Sequence, residues 1–333
     1  MRRSEGTVTM KVLDRRSFLI GSAATCVAGP AVATADGFDE NLAILISDTH
    51  VLADHRGNPR HIKAFEWTAD QILAMRPLPR HLIHFGDLSH LVGRKEDYGL
   101  AKPVIDRLRA AGIKVTVGMG NHDRRCAYLD VFGREPMETS LVSGRIVHLV
   151  ELPTVGVLML DSLAGDDAVT VKEKRPVNGE LSPDQQAWLT DFLTNRKRPL
   201  IVAAHHPVFQ LKVGKDRLCD VLAYNKAVVG FVHGHDHSWK RGWTHPDWKT
   251  QTSLHTVGLP SGGCDGDIGY CTMRAFADRV EIELKQRDFF IPRPFPPADR
   301  PPQWDVRVEE NMASPRATLF FERRARRPGK KRG

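Results

Sequence analysis

No apolar run in this 333-residue chain reaches the roughly 20 residues that a membrane-crossing helix requires. The best candidate begins at Phe18-Leu19-Ile20 and fades into a weakly apolar stretch, 21–33, rich in Gly and Ala, so no stable membrane anchor is expected. Cysteine is sparse, with five in all, and none has the paired spacing of a structural zinc site. Cys126, Cys219, Cys264 and Cys271 lie beyond residue 35. Cys264 and Cys271 flank a Gly- and Asp-rich turn that a disulfide can bridge, and free buried thiols are the alternative. A basic domain is missing too. The formal charge is +8, but residues 1–35 carry +3 and residues 321–333 carry +6, leaving −1 on the body. Specific nucleic-acid binding is therefore not expected. The tail 323–332 has no apolar period and reads as a disordered, solvated terminus rather than a lipid- or polyanion-binding device.

Repeats and internal linkers are absent as well, so residues 36–290 read as one large domain. Half of stretch 291–302 is proline, which makes that stretch extended and helix-free, and 291–320 reads as a proline-rich C-terminal extension before the basic tail 321–333. The pattern of 306–321 assigns it no role. At the other end, Asp14-Arg15-Arg16-Ser17-Phe18-Leu19-Ile20 pairs two arginines with the apolar run, and small residues follow at 31–35. Residues 1–35 resemble a twin-arginine export signal, which implies the twin-arginine translocation machinery as a partner and a periplasmic or secreted protein.

What the body does contain is five blocks of metal-binding side chains. They are Asp48-Thr49-His50, Gly86-Asp87, Gly120-Asn121-His122-Asp123, His205-His206-Pro207 and Gly234-His235-Asp236-His237. Each follows an apolar run read as a strand, at 42–47, 81–85, 114–119, 200–204 and 228–233. Loops at the ends of neighbouring strands converge, and Asp, Asn and His in that mixture suit two divalent metals and hydrolysis at phosphorus. Helices are expected at 60–75, 97–111 and 183–195, the last capped by Ser182 with Pro183 at its first position. A hairpin is expected from 145–152 and 155–161. By themselves these patterns give an α/β single domain.

Taken in order, the five blocks resemble the calcineurin-like metallophosphoesterase family over roughly residues 41–285. That resemblance implies a four-layer α/β/β/α sandwich, two mixed β-sheets flanked by helices, with a binuclear metal site at the sheet edge. Gly86-Asp87-Leu88-Ser89-His90-Leu91, Gly179-Glu180-Leu181-Ser182 and Gln186-Ala187-Trp188-Leu189 are similar to the branch of bacterial class III cyclic-nucleotide phosphodiesterases and glycerophosphodiesterases. Purple acid phosphatases carry a tyrosine three residues after the motif aspartate. His90 stands there in this chain, which disfavours a ferric–tyrosinate site.

By resemblance, two divalent transition-metal ions (iron, manganese, zinc or cobalt) are implied. One would be held by Asp48, His50 and His237 and the other by Asn121, His205 and His235, with Asp87 bridging by one oxygen to each. The reaction implied is in-line attack on a small-molecule phosphoester, preferably a diester, by a metal-bridging hydroxide. A phosphomonoesterase on the same site is the alternative, and a non-catalytic binding module on the same fold is the weaker one. The family pattern selects His205 over His206 as ligand. His122 is expected to protonate the leaving oxygen or hold a phosphoryl oxygen, with Asp123 orienting it and keeping it protonated. His206, His90 and Arg124 are candidates for the substrate side, and Arg125 shares the reach of Arg124. The other histidines, His61, His81, His84, His148 and His233 among them, read as structural or exposed. The glycine density of 256–264 signals backbone close to something, either a tight loop or the site rim, and Asp265 and Asp267 after it read as a structural turn rather than a calcium site.

Overall fold

The computed structural model describes residues 37–53, 60–165, 177–241, 255–263, 268–286 and 316–321. Outside them lie the twin arginines, the proline-rich stretch 291–302, the basic tail, Cys264, and Asp265 and Asp267.

The chain opens with two β–α units. Strand β1 (Phe38–Ile46) leads to helix α1 (Arg60–Leu73), and β2 (Leu78–His84) leads to α2 (Lys95–Ala110) and β3 (Lys114–Val117). The three strands run parallel, with Ile44 opposite Leu82 and Leu82 opposite Val115. Two short helices, α3 (Arg125–Phe132) and α4 (Glu135–Glu138), precede the hairpin β4 (His148–Glu151) and β5 (Gly156–Met159). Then come β6 (Gly179–Glu180), α5 (Pro183–Asn195), β7 (Leu200–Ala204), β8 (Leu211–Val213), α6 (Lys215–Tyr224) and β9 (Val228–His233). The last elements are all strands: β10 (Lys240–Arg241), β11 (His255–Gly258), β12 (Gly269–Ala275), β13 (Arg279–Gln286) and β14 (Arg316–Phe320).

Two six-stranded mixed sheets result, ordered β14-β13-β12-β1-β2-β3 and β10-β11-β9-β7-β5-β4. Their central strands are buried on both faces, which is why they read as continuous apolar runs in the sequence. Successive side chains on a strand point to opposite faces. Ala43 and Leu45 of β1 and Ile201 and Ala203 of β7 accordingly enter the core between the sheets. Ile44 and Ile46 pack outward with α1, α2 and α3, and Val202 and Ala204 pack outward with α5 and α6. The four layers are helices, sheet, sheet, helices, and the fold expected from the motifs is the one observed. Helix α5 starts as its residues dictate, with the Ser182 hydroxyl accepting from the Gln185 N–H and Pro183 in the first turn.

One expectation needs correction. Residues 291–320 are not all an extension: β14 lies within that stretch and pairs with β13, burying Ala317 and Leu319. With one buried pair on an edge strand, its apolar alternation is too short to stand out in the sequence. Cys271 is a buried free thiol, the alternative that the sequence left open. Strand pairing places Cys271 opposite Leu45 and turns it into the core between the sheets, while Cys264 lies outside the described residues. Among the described residues, no helix is long and apolar enough to cross a membrane.

Candidate metal centre

Each of the five blocks follows the carboxyl end of a strand: β1, β2, β3, β7 or β9. In parallel sheets these ends share one edge, where ligands of α/β proteins bind. The turn backbone there is unusual. Among the described residues, six non-glycine residues have positive φ, and five are expected ligands: Asp48, His50, Asp87, His235 and His237. The sixth is Leu91. Such conformations are costly and persist only where the surroundings over-determine them. Two block glycines are needed for close approach instead. A Cβ on Gly120 would overlap Oδ1 of Asp87, and one on Gly234 would overlap Oγ of Ser47.

The side chains gather into two adjoining donor sets. In one, Nε2 of His50 and Nε2 of His237 stand 3.1 Å apart, and Oδ1 of Asp48 lies 3.7 and 3.3 Å from them. In the other, Nε2 of His205 lies 3.2 Å from Oδ1 of Asn121, 3.2 Å from Nδ1 of His235 and 3.2 Å from Oδ2 of Asp87. Asp87 joins the sets, since the same Oδ2 is 3.7 Å from Nε2 of His50. Its other oxygen, Oδ1, accepts the His122 backbone N–H at 2.8 Å. One oxygen therefore faces both sets, where one oxygen to each was expected.

These donors fit divalent metal ions. Ligand atoms about 2.0–2.1 Å from a shared ion lie roughly 3.0–3.4 Å from one another, close to the spacings in both sets. Oδ1 of Asp48 is buried and accepts no hydrogen bond, despite the imidazole nitrogens beside it. Oδ2 of the same carboxylate is held by the His235 backbone N–H at 3.0 Å. His205 donates Nδ1–H to the Phe85 carbonyl at 3.0 Å, which turns Nε2 toward the centre, a common arrangement for a ligating imidazole.

Electrostatics favour cations. Burial works against the charge on Asp87, yet the neighbouring His205 and His50 hold its carboxyl well below the usual range. Asp48 is depressed in the same way, burial being outweighed by His205, His237 and His50. Burial pulls the His205 pKa down, but Asp87 and Asp48 outweigh it and raise it. His235 is pushed down to about 4 by burial and by His205. The two carboxylates thus favour positive charge at His205, and a proton and a metal ion would compete for its Nε2.

Asp123 does not orient His122. It is fully buried, and its Oδ2 accepts the N–H groups of Asp87 at 2.7 Å and Gly120 at 2.9 Å. Its Oδ1 accepts from the Ser89 N–H at 3.2 Å and the Tyr98 hydroxyl at 3.0 Å. Adjacent residues point apart here, so Asp123 ties the second block to the third from beneath. Burial and the charge of Asp87 push its carboxyl up to about 6. His122 instead donates Nδ1–H to the Leu91 carbonyl at 2.9 Å. Burial lowers its pKa, against the direction that a partnering carboxylate would give.

The substrate-side candidates divide. His90 lies behind a donor: its Nδ1 is 3.1 Å from Nδ1 of His50, and its ring stacks on His122 at 5.5 Å. His206 is fully buried against Ser162. Arg124 is half-buried at the start of α3, its N–H on the Tyr98 hydroxyl. Arg125 faces away, its guanidinium paired with both oxygens of Asp161 at 2.7 Å and with the Leu163 carbonyl.

Sequence reasoning missed several supports. His61 donates Nδ1–H to the His50 carbonyl at 2.6 Å, and Nε2 of buried His84 meets the Thr49 hydroxyl at 3.0 Å. Ser261 donates to the Asp48 carbonyl at 2.9 Å, and Gly262 and Gly263 pack tightly on residues 47–49. His84 precedes the second block by two residues, a weak hint. The glycine density of 256–264 is a second hint, and His61 and Ser261 have no signal in the chain.

A family model described as "Metallophos: Calcineurin-like phosphoesterase" matches residues 43–239. Among solved structures, a dimetal phosphatase from Danio rerio aligns with 84% of this chain and 99% of its own, at 14% identity and a TM-score of 0.58. A predicted phosphoesterase from Streptococcus pneumoniae TIGR4 aligns with 74% and 90% at 15% identity, with a TM-score of 0.34. No curated protein sequence matches the chain.

Asp123→Asn tests the clamp. An amide offers one acceptor oxygen where the carboxylate serves four donors, and each buried donor left unpaired costs about 1–3 kcal/mol. Denaturant unfolding should show that loss, and calorimetric titration should show weaker metal binding. Unchanged stability, with only the pH–rate profile altered, would restore the orienting role.

Proposed function

The chain belongs to the calcineurin-like phosphoesterase family and is a metal-dependent phosphoester hydrolase; within that class we propose a phosphodiesterase that works outside the cytoplasm. The observation that carries the two-metal part of this reading is the pair of donor sets sharing Oδ2 of Asp87, and its placing outside the cytoplasm rests on the Arg15-Arg16 signal. Asp48, His50 and His237 would hold one divalent ion, and Asn121, His205 and His235 the other. The ions, when bound, supply Lewis acidity to the phosphoryl oxygens and a water that loses its proton near neutral pH.

The protein's own groups then position and protonate. Asn121 contributes a neutral oxygen where a carboxylate would add negative charge, so the centre keeps a positive balance for an anionic ester. His122 has Nδ1–H committed to Leu91, so Nε2 carries a proton only in the imidazolium form. An anionic phosphoester beside it favours that form. Nε2–H then serves the leaving oxygen. The diester preference rests on the branch resemblance of Gly86–Leu91, Gly179–Ser182 and Gln186–Leu189 in the sequence. Leu91, 49% exposed beside His122, suits the organic substituent that a diester carries and a monoester's free side lacks.

Metal-loaded protein should hydrolyse bis-p-nitrophenyl phosphate and a cyclic nucleotide faster than p-nitrophenyl phosphate, and chelation should abolish all three activities. Activity that survives complete metal removal would sink the assignment, and faster monoester turnover would reverse the preference.

His122→Ala should keep both ions and lose about 10²–10⁴-fold in turnover of alkyl esters. The loss should be smaller for p-nitrophenyl esters, whose leaving group departs without a proton. Equal losses for the two substrates would mean that His122 binds phosphate rather than donating a proton.

Replacing Arg15 and Arg16 together by lysine should strand the precursor in the cytoplasm. Cell fractionation is the readout, and unchanged export would remove the twin-arginine route.

A further inference from the structure

We propose that His206 is a further nitrogen ligand of the ion held by Asn121, His205 and His235. The inference rests on the two-ion reading above and adds a donor outside the set that the motif resemblance supplies.

His206 is fully buried in the loop after β7. Its Nδ1 lies 2.8 Å from Oγ of Ser162, and that same hydroxyl accepts the His206 backbone N–H at 3.3 Å. On the far side of the ring, Nε2 is buried and has no hydrogen-bond partner. Buried polar atoms without partners are rare and point to an ion or water that completes them. A ring nitrogen of His206 falls in one group with those of His205 and His235, all within 4.8 Å of one another. Ligands about 2.1 Å from one ion and opposite each other are roughly 4.2 Å apart, so the three can share an ion with little movement. With Nδ1 held by Ser162, Nε2 is the nitrogen available. Because Nε2 is closed off from solvent, an ion between these rings accounts for it better than a substrate oxygen does.

The surroundings fix the ring in this attitude. A Cβ on Gly179 would overlap Nδ1 of His206 and stand 2.6 Å from its Cγ, so β6 carries a glycine where the imidazole needs room. Ser162 is anchored on both sides, by the ion pair of Arg125 with Asp161 and by the Arg125 bond to the Leu163 carbonyl. Gln185 closes the frame, exchanging hydrogen bonds with the Asp161 backbone at 2.9 and 2.8 Å.

His206→Asn separates the two ring nitrogens, since the amide can keep the Ser162 bond while the Nε2 donor is gone. Wild-type protein and the variant would be titrated with cobalt(II) alone, and the cobalt-loaded forms compared by proton NMR. Two ions on the wild type support the two-ion reading, and none would overturn that reading irrespective of His206. The expected variant binds the first ion normally and the second more weakly by more than the roughly 10–100-fold that a group outside the coordination shell costs. It also lacks one exchangeable, strongly shifted imidazole N–H resonance, that of Nδ1–H on Ser162. Two ions of unchanged affinity with the same set of shifted resonances would overturn the proposal, as would a smaller loss that leaves that set intact. Should His206→Asn fail to melt cooperatively without metal, Ser162→Ala decides. Faster exchange of the same resonance and weaker second-ion binding support the ligand role, and no change in either overturns it.

Discussion

Two carboxylates, Asp48 and Asp87, are buried almost completely within one cluster of imidazoles, and the rest of the centre is arranged around that charge. Burying an uncompensated carboxylate is costly, so the cluster must supply or attract positive charge. His205 stands 3.2 Å from Asp87 and 3.9 Å from Asp48, and both raise its pKa against the pull of burial. The remaining imidazoles present nitrogens to one another at 3.1–3.2 Å, spacings that leave lone pairs in need of a shared acceptor. Divalent ions meet both needs at once, and the competition between ion and proton on His205 makes metal affinity depend on pH.

Holding that geometry requires a rigid frame. The donors sit in turns with positive φ, and a turn so strained relaxes unless packed from every side. Three fully buried layers provide the packing: the core between the sheets and the two helix-covered outer faces. Polar ties then fix the loops to one another. Asp123 and Tyr98 bind the second block to the third, His61 and Ser261 hold the backbone of the first, and the His235 N–H reaches Asp48 across the two sheets. The aspartate beside His122 thus serves the bridging carboxylate more directly than it serves the imidazole.

The twin-sheet architecture also explains why the site tolerates so much histidine. Each strand end contributes a few side chains at short reach, so no single loop must fold around an ion. Leu91 shows the opposite economy. Its carbonyl fixes the tautomer of His122 while its side chain remains exposed, so one strained residue both orients a proton carrier and offers apolar surface.

By itself the sequence determined the strands, since runs such as 200–204 and 228–233 are apolar throughout and end on Asp, Asn or His. It also determined α5, whose Ser182–Pro183 start is a local signal, and the placing of the five Asp-, Asn- and His-bearing blocks at strand ends, while the assignment of ligands among them came from the family resemblance. Local patterns carry this information because backbone periodicity and capping act over a few residues. The tertiary structure alone decided what depends on which neighbours meet. Asp123 turns from His122 to the Asp87 loop, Arg125 from the site to Asp161, and Cys271 into the core. A single oxygen of Asp87 faces both donor sets because the His122 N–H takes the other. Strand β14, too short to declare itself, is defined by its partner β13, more than 30 positions earlier in the chain. Side-chain direction at a turn, and the pairing of an edge strand, follow from packing between segments distant in sequence, and no local pattern records that.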